Sequence, residues 1–134
     1  MQEKINSTLI GFDYGLKKIG VSIGNTVSGV ASPLKILYSK SKIEGFKAAK
    51  AEIFFWDPEL IVVGFPSHFD GRTHPLANNC KRFARNISVE TGKKVRLVDE
   101  SYTSVLSKGK GQDDARAAAL ILQVVLDELF YANK

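Results

Sequence analysis

The chain opens with short apolar runs and continues with segments of helical periodicity. The first runs, 7–12, 19–23 and 30–37, predict three buried strands because each is short, mostly apolar and bounded by turn residues. The connectors between these strands are also short. Short connectors favour antiparallel hairpins over crossovers, so we expect the first three strands to form a meander.

The pattern after residue 40 alternates between helix and strand. Apolar residues recur at helical spacing in three segments, 43–54, 76–87 and 114–130. Between them, the continuous apolar run 60–65 predicts a parallel strand covered on both faces, and 95–98 predicts a short fifth strand. The order βββαβαβα predicts an α/β fold with a five-stranded mixed sheet flanked by helices. We expect one domain over residues 1–134, since the length fits one and no linker is visible.

Composition changes this prediction little. The chain is 44% hydrophobic and 25% charged, values typical of a globular protein. Cys80 is the single cysteine and cannot form an internal disulfide, so we expect a buried thiol in a reducing compartment. With no signal peptide or membrane span in the sequence, a cytoplasmic location is expected. The net charge of +5 modestly favours polyanionic partners.

Carboxylates follow two predicted strands and begin the last predicted helix. Asp13 comes directly after the first strand, Asp99 and Glu100 end the fifth, and Asp113 and Asp114 start the helix. A carboxylate at the end of a buried strand costs free energy unless it is paired or bound to a cation. The plain alternatives are a turn residue, solvated loop acids and a helix cap. Strand alternation alone does not decide between Asp99 and Glu100.

Helix geometry separates the two acids at the start of the last helix. The polar residues Arg116, Gln123 and Asp127 define a solvent-facing stripe. At about 100° per residue, Asp113 lies within about 50° of the centre of that stripe and Asp114 about 150° away. We therefore expect Asp113 to cap the helix and Asp114 to point inward.

Three inward acids at element ends predict an oxygen-ligand site. Hard divalent cations such as Mg²⁺ or Mn²⁺ prefer carboxylate ligands. Two such ions about 4 Å apart can activate a water and stabilise the leaving oxygen of a phosphodiester. No Ser-His-Asp or Cys-His arrangement is expected, because His68 and His74 fall in one predicted loop.

Four segments carry a family resemblance. They are, in order, Asp13–Ser22 (DYGLKKIGVS), Val62–Pro66 with Asp70-Gly71 after it, Val98–Ser104 (VDESYTS) and Asp114–Gln123 (DARAAALILQ). Together they resemble the motifs of the YqgF family, described as Holliday-junction-resolvase-like proteins and pre-16S rRNA nucleases. The resemblance implies a ribonuclease H-like fold and a hydrolase acting on ester bonds, with Asp13, Glu100 and Asp114 as catalytic residues and ligands of two ions. The choice of Glu100 over Asp99 rests on the resemblance alone.

The chain departs from the family pattern in two places. Ser101 stands where the family usually has Arg, and the segment 104–114 is short where relatives usually carry an extra helix. Lys108 and Lys110 in that segment are candidates to supply the missing positive charge. The full set of candidate nucleic-acid-binding residues is Lys17, Lys18, Arg72, Lys81, Arg82, Arg85, Thr103, Lys108 and Lys110. The plain alternative for the helical cations is a solvated helix face.

These observations predict a metal-dependent nuclease of structured RNA that processes the 5′ end of pre-16S rRNA. The expected partner is nucleic acid and not a membrane, and the chain is expected to be a monomer or a homodimer. One alternative is a Holliday-junction resolvase, which would need a dimer; another is an RNA-binding domain whose nuclease site has decayed, as Ser101 suggests. An actin-like ATP-binding protein fits less well, because such proteins clamp nucleotide between two domains and this chain has the length of one.

Overall fold

The computed structural model describes residues 7–66, 68–69, 72–73, 75–100 and 113–132. Its strands are β1 (Thr8–Asp13), β2 (Lys18–Asn25), β3 (Val30–Tyr38), β4 (Leu60–Phe65), β5 (His68–Phe69), β6 (Arg72–Thr73) and β7 (Lys94–Asp99). Its helices are α1 (Lys42–Trp56), α2 (Ala77–Thr91) and α3 (Asp114–Ala132). The predicted order of elements is confirmed, with one addition. The short β5–β6 hairpin lies in a segment that the sequence pattern predicts as a loop.

The central sheet is mixed, as predicted. Its strand order is β3-β2-β1-β4-β7. Strands β1, β2 and β3 pair antiparallel, whereas β1 pairs parallel with β4 and β4 pairs parallel with β7. The carboxyl ends of β1, β4 and β7 therefore meet at one edge of the sheet, which we call the carboxyl edge. Helices α1 and α2 both begin at this edge, since each follows a strand that ends there.

The two faces of the sheet carry separate apolar cores. Helices α1 and α2 cover a core that includes Phe12, Ile19 and Phe83, and we call this side the α1–α2 face. Helix α3 covers the other core, with Leu9 and Leu122 among its members, and we call this side the α3 face. Alternation along β1 then assigns every second residue to each face, and its last residue falls on the α3 face.

Small residues of β1 and β2 let α3 lie close to the sheet. A Cβ atom at Gly24 would lie 2.6 Å from the Leu126 Cδ1, and one at Gly11 would lie 2.9 Å from the Leu122 Cβ. Between these positions, the Ser22 hydroxyl donates a hydrogen bond to the backbone carbonyl of Ala118 at 2.8 Å. Larger side chains on these strands would push the helix away, so the small residues set its distance from the sheet.

The first turn and the middle of α3 are fixed by polar contacts. The Asp113 carboxylate accepts a hydrogen bond from the Arg116 backbone N–H at 2.8 Å, which confirms the predicted helix cap. The predicted solvent-facing stripe is wrong at Gln123. Its side-chain carbonyl accepts from the Ala31 N–H at 2.9 Å and its amide donates to the Gly29 carbonyl at 2.8 Å. This residue therefore ties α3 to the β2–β3 turn.

Candidate active site at the carboxyl edge of the sheet

The structure brings Asp13, Glu100 and Asp114 to the carboxyl edge. Asp13 is the last residue of β1, and Asp114 is the first residue of α3. Glu100 directly follows β7, where its backbone N–H donates to the Phe65 carbonyl at 2.8 Å. Because Val98 belongs to the core under α3, alternation places Glu100 on the α3 face. All three acids therefore share one face.

Two strand glycines let the segments that carry these acids lie close to the sheet. Asp13 lies opposite Gly20 on β2 and opposite Gly64 on β4. A Cβ atom at Gly20 would lie 1.9 Å from the Asp114 carbonyl oxygen, and one at Gly64 would lie 3.1 Å from the Glu100 Cγ. Neither glycine is among the site residues predicted from the sequence. The available signal was a glycine inside an apolar strand run, which often marks a close approach of another chain segment.

The electrostatics of the site centre on Asp13. Burial raises the pKa of the Asp13 carboxyl to about 8, assisted by the negative charge of Glu100, a hydrogen bond with the Glu100 side chain and the charge of Asp114. At pH 7 the Asp13 carboxyl therefore keeps its proton and forms a hydrogen bond with the Glu100 side chain. Cys80 is fully buried in the core of the α1–α2 face, as predicted, and burial raises the pKa of its thiol to about 12, assisted by the charges of Glu100 and Asp13.

Lys18 brings a positive charge to the same edge. Its ammonium lies 3.4 Å from the Asp114 Oδ2, with the two side chains 54% and 33% exposed. An ion pair this exposed contributes little to folding stability. The ion pair balances the charge of Asp114 with a lysine that is accessible to solvent and to a ligand.

Comparison with known proteins identifies the family. Residues 7–128 match a family model described as "RuvX: Holliday junction resolvase". The chain belongs to this family. A relative from Bordetella avium, named "Putative pre-16S rRNA nuclease", is 43% identical over 126 residues, which cover 91% of this chain and 96% of the relative. A relative of the same name from Paraburkholderia phytofirmans is 40% identical over 131 residues, covering 92% and 90%. The predicted resemblance is confirmed.

Solved structures confirm the predicted ribonuclease H-like fold of this RuvX-family chain. RuvC of T. thermophilus in complex with a Holliday junction substrate matches with a TM-score of 0.61 at 15% identity, covering 95% of each chain. The fowlpox virus Holliday junction resolvase matches with a TM-score of 0.59 at 13% identity, covering 91% of this chain and 99% of the other. At these identities the likeness shows the shared fold.

The remaining candidate residues of the RuvX-family chain lie in several places. Lys17 is exposed in the β1–β2 turn, beside Lys18. Lys81, Arg82 and Arg85 are exposed on α2, which packs on the opposite face of the sheet from α3. Arg72 belongs to the β5–β6 hairpin, of which only the backbone is described. Ser101, Thr103, Lys108 and Lys110 lie outside the described residues.

The carboxylates are suitable ligands for a cation, but they are not arranged around a common point. Within the described residues, no group of three His, Cys, Asp or Glu side chains is close enough to hold an ion as it stands. Asp13 instead forms a hydrogen bond with Glu100, and Asp114 faces Lys18. Carboxylate oxygens are the ligands that Mg²⁺ and Mn²⁺ prefer, so the donor set fits a hard divalent cation.

Among the helices that the structure describes, none is long and apolar enough to cross a membrane.

Proposed function

We propose that this chain is a metal-dependent nuclease that hydrolyses phosphodiester bonds in structured RNA, with the 5′ end of pre-16S rRNA as its substrate. The observation that carries the proposal is the buried Asp13 carboxyl, hydrogen-bonded to Glu100 and close to Asp114. Such a cluster is unfavourable in a resting protein, because like charges in a poorly solvated place repel one another. Functional sites are where this cost is usually accepted. The names of the relatives support the choice of substrate.

Asp13, Glu100 and Asp114 are the proposed catalytic and metal-binding residues. Bound Mg²⁺ or Mn²⁺, as two ions, would supply an activated water and stabilise the leaving oxygen. The residues of the chain prepare for this in two ways. Asp13 keeps a proton that would be released if a cation took its place, and Gly20 lets the backbone of Asp114 lie close to β2.

Positive side chains near the site are the proposed contacts to the RNA backbone. Lys17 lies in the turn that follows Asp13, and Lys18 is the first residue of β2, 3.4 Å from the Asp114 Oδ2. When substrate binds, Lys18 can exchange its contact with Asp114 for one with a phosphate. The other proposed contacts are Arg72, Lys81, Arg82, Arg85, Thr103, Lys108 and Lys110. A cytoplasmic location follows from this substrate and belongs to the same proposal.

Resolution of Holliday junctions is the second candidate function. The description of the matching family model favours it. A resolvase acts symmetrically on a four-way junction, so this function would require a dimer that presents two sites. The two candidates share their chemistry and differ in substrate and in oligomeric state.

The test is cleavage of a 5′-extended 16S rRNA precursor fragment and of a four-way DNA junction, each with Mg²⁺ or Mn²⁺. Adjacent acids provide matched controls. Asp114→Asn removes the inward acid, whereas Asp113→Asn keeps a good helix cap and changes the charge equally. We expect Asp114→Asn and Asp13→Asn to lower the cleavage rate at least about a thousandfold, and Asp113→Asn to change it by less than about threefold.

The outcomes separate the candidates. Cleavage of the RNA but not of the junction, lost in the Asp13→Asn protein, supports the pre-rRNA nuclease. Cleavage of the junction alone, by a protein with the solution mass of a dimer, supports the resolvase. Equal rates for Asp113→Asn and Asp114→Asn would contradict the assigned site. Binding of RNA without cleavage by the unmodified protein would leave the RNA-binding domain as the better description.

A further inference from the structure

Helices α1 and α2 leave a groove between them on the α1–α2 face. The groove has a volume of about 390 Å³, which is in the range of small-ligand sites. It lies on the opposite side of the sheet from the α3 face and is separate from the three carboxylates. One end is lined by Tyr14, the residue after Asp13, so the groove starts at the carboxyl edge. From Asn79 to Glu90 its α2 wall extends along about 16 Å of helix.

The rim of this groove is strongly positive. Four cations line it, namely Lys42, Lys47, Lys50 and Arg82. Among the described lining residues, Glu90 is the single acid, and Lys50 binds it at 2.8 Å. Three positive charges therefore remain without a balancing acid in the groove. This charge is complementary to a phosphate backbone.

The interior of the groove offers apolar surface and amide groups. The Ile43 side chain is 70% exposed there, and Phe46 is half-buried beside it. The Phe46 ring packs edge-on against Phe83, with ring centroids 6.3 Å apart, so it is held in place. Asn79 and Asn86 add groups that can both donate and accept hydrogen bonds. Apolar faces with nearby amides and cations are the features that bind unpaired bases.

We propose that the α1–α2 groove binds an unpaired segment of the nucleic-acid strand that enters the active site. This inference rests on the proposed nuclease function, since it assigns a second contact to the same substrate. The strand would pass the carboxyl edge at Tyr14 and continue between the helices, with bases against Ile43 and Phe46 and phosphates toward the lysines. Unpaired nucleotides fit because their bases are free to contact side chains, whereas a duplex keeps its bases stacked inside.

The test measures binding separately from cleavage. A fluorescent RNA duplex with a short single-stranded extension is compared with the same duplex without it, by anisotropy in the absence of divalent cations. Lys47→Glu and Ile43→Ala alter the groove. Their controls are Lys94→Glu, an exposed lysine at the start of β7, and Phe55→Ala, a residue of α1 that is 77% exposed and does not line the groove. All four positions are exposed, so the variants should fold.

We expect the extension to increase the affinity of the unmodified protein. Lys47→Glu should lower that affinity about tenfold. It should also reduce the slope of log affinity against log salt concentration by about 0.7 for each lost phosphate contact. Ile43→Ala should remove about threefold at unchanged salt dependence, because it removes contact with a base and not with a phosphate. Neither variant should change binding of the duplex without the extension.

Three results would overturn the proposal. The first is that the extension adds no affinity. The second is that the control variants weaken binding as much as the groove variants. The third is that an acidic peptide competes as well as single-stranded RNA. Failure of the nuclease function gives a different result. In that case no RNA is cleaved with Mg²⁺ or Mn²⁺, while the binding of the extension and its loss in Lys47→Glu are still measured.

Discussion

The two faces of the central sheet are built from different kinds of side chain. On the α1–α2 face, aromatic and branched residues interlock. The Phe83 ring contacts three others, those of Phe12, Tyr14 and Phe46. On the α3 face, glycines and Ser22 line β1 and β2, so the backbone of α3 comes within a hydrogen bond of the sheet. Both faces bury large apolar side chains, but on the α3 face strand glycines also bring the helix close to the backbone of the sheet.

The difference separates stability from the geometry of the site. The interlocked rings of the α1–α2 face contribute burial free energy, and truncating one of them is costly. At the start of α3 the helix has little freedom to shift, because a Cβ atom at Gly20 would meet the backbone of Asp114. That rigidity sets where Asp114 lies relative to Asp13, at the edge where the α3 face ends. We therefore expect substitutions on the α1–α2 face to lower mainly stability, and substitutions under α3 to lower both stability and cleavage activity.

The largest effect on stability should come from the α1–α2 face. Phe83→Ala removes the ring that three other aromatic residues contact, and it should lower the free energy of unfolding by about 3–5 kcal/mol. The measurement is urea denaturation. Val89→Ala on the same helix is the control, since Val89 is 75% exposed and its truncation should stay within about 0.5 kcal/mol. Similar losses in both variants would contradict a core centred on Phe83.

A methyl group added to the α3 face should damage the site and the fold together. Gly20→Ala puts a Cβ atom 1.9 Å from the Asp114 carbonyl, so the start of α3 must move. We expect a loss of about 3 kcal/mol in stability and of most cleavage activity. Gly45→Ala is the matched control in α1, where the nearest atom is the Ser39 hydroxyl at 3.0 Å. Alanine favours a helix, so this variant should stay within about 1 kcal/mol and remain active.

If Gly20→Ala were as active as Gly45→Ala, the expected link between the α3 face and the geometry of the site would be contradicted. It would mean that the first turn of α3 adapts without moving Asp114 away from Asp13. Far-ultraviolet circular dichroism of both variants separates loss of the fold from a local shift of the helix.

The sequence could predict the strands and the acids because both leave local signals. The apolar run 60–65 and the segments of helical periodicity each depend on residues near in the chain, and the acids stand where those patterns stop. Helix geometry predicts that Asp114 points inward, and the structure places this residue at the start of α3, paired with Lys18. The hairpin formed by β5 and β6 could not be predicted, because two-residue strands are too short to show any alternation.

Other parts of the site depend on contacts between distant segments. Gly20 and Gly64 matter because Asp114 and Glu100 lie across from them, and the local sequence around a glycine does not say what crosses it. The same reason explains the wrong prediction at Gln123, whose polar group faces β3 and not solvent. The choice between Asp99 and Glu100 needed the face on which Val98 lies, which only the packing of α3 defines.

The pKa of Asp13 predicts that the site weakens the fold near neutral pH. In the unfolded chain this carboxyl ionises near its ordinary value of 3.8, whereas in the folded chain it keeps its proton until about pH 8. Between these values the folded state binds more protons, so its free energy of unfolding falls as pH rises. Asp13→Asn should remove this slope and stabilise the protein at pH 7.5 by about 1–3 kcal/mol.

The measurement is thermal unfolding of both proteins from pH 5 to pH 8. The difference between them should grow steadily with pH, since groups common to both cancel. Added Mg²⁺ should raise the unfolding temperature of the unmodified protein and leave that of Asp13→Asn nearly unchanged, because a ligand that binds the folded state stabilises it. A difference that does not vary with pH would contradict the raised pKa.

The smallest effect on stability is expected at the ion pair of Lys18 with Asp114, where the α3 face meets solvent. Lys18→Met keeps the length of the side chain and removes its charge. Because the pair is exposed and its atoms are 3.4 Å apart, stability should change by less than about 1 kcal/mol. Cleavage should nevertheless fall about tenfold, since a proposed phosphate contact beside the catalytic acids is lost.

Lys35→Met is the matched control for this last change. Lys35 forms an ion pair with Glu52 at 3.0 Å, between β3 and α1 and away from the carboxyl edge, with the lysine exposed to a similar extent as Lys18. Its loss should alter stability as little as the loss of Lys18 and leave cleavage unchanged. If both variants cleave at the same rate, Lys18 only balances the charge of Asp114. If only Lys18→Met is slow, the cation acts on the substrate, and the edge of the α3 face has a function that its contribution to stability does not reveal.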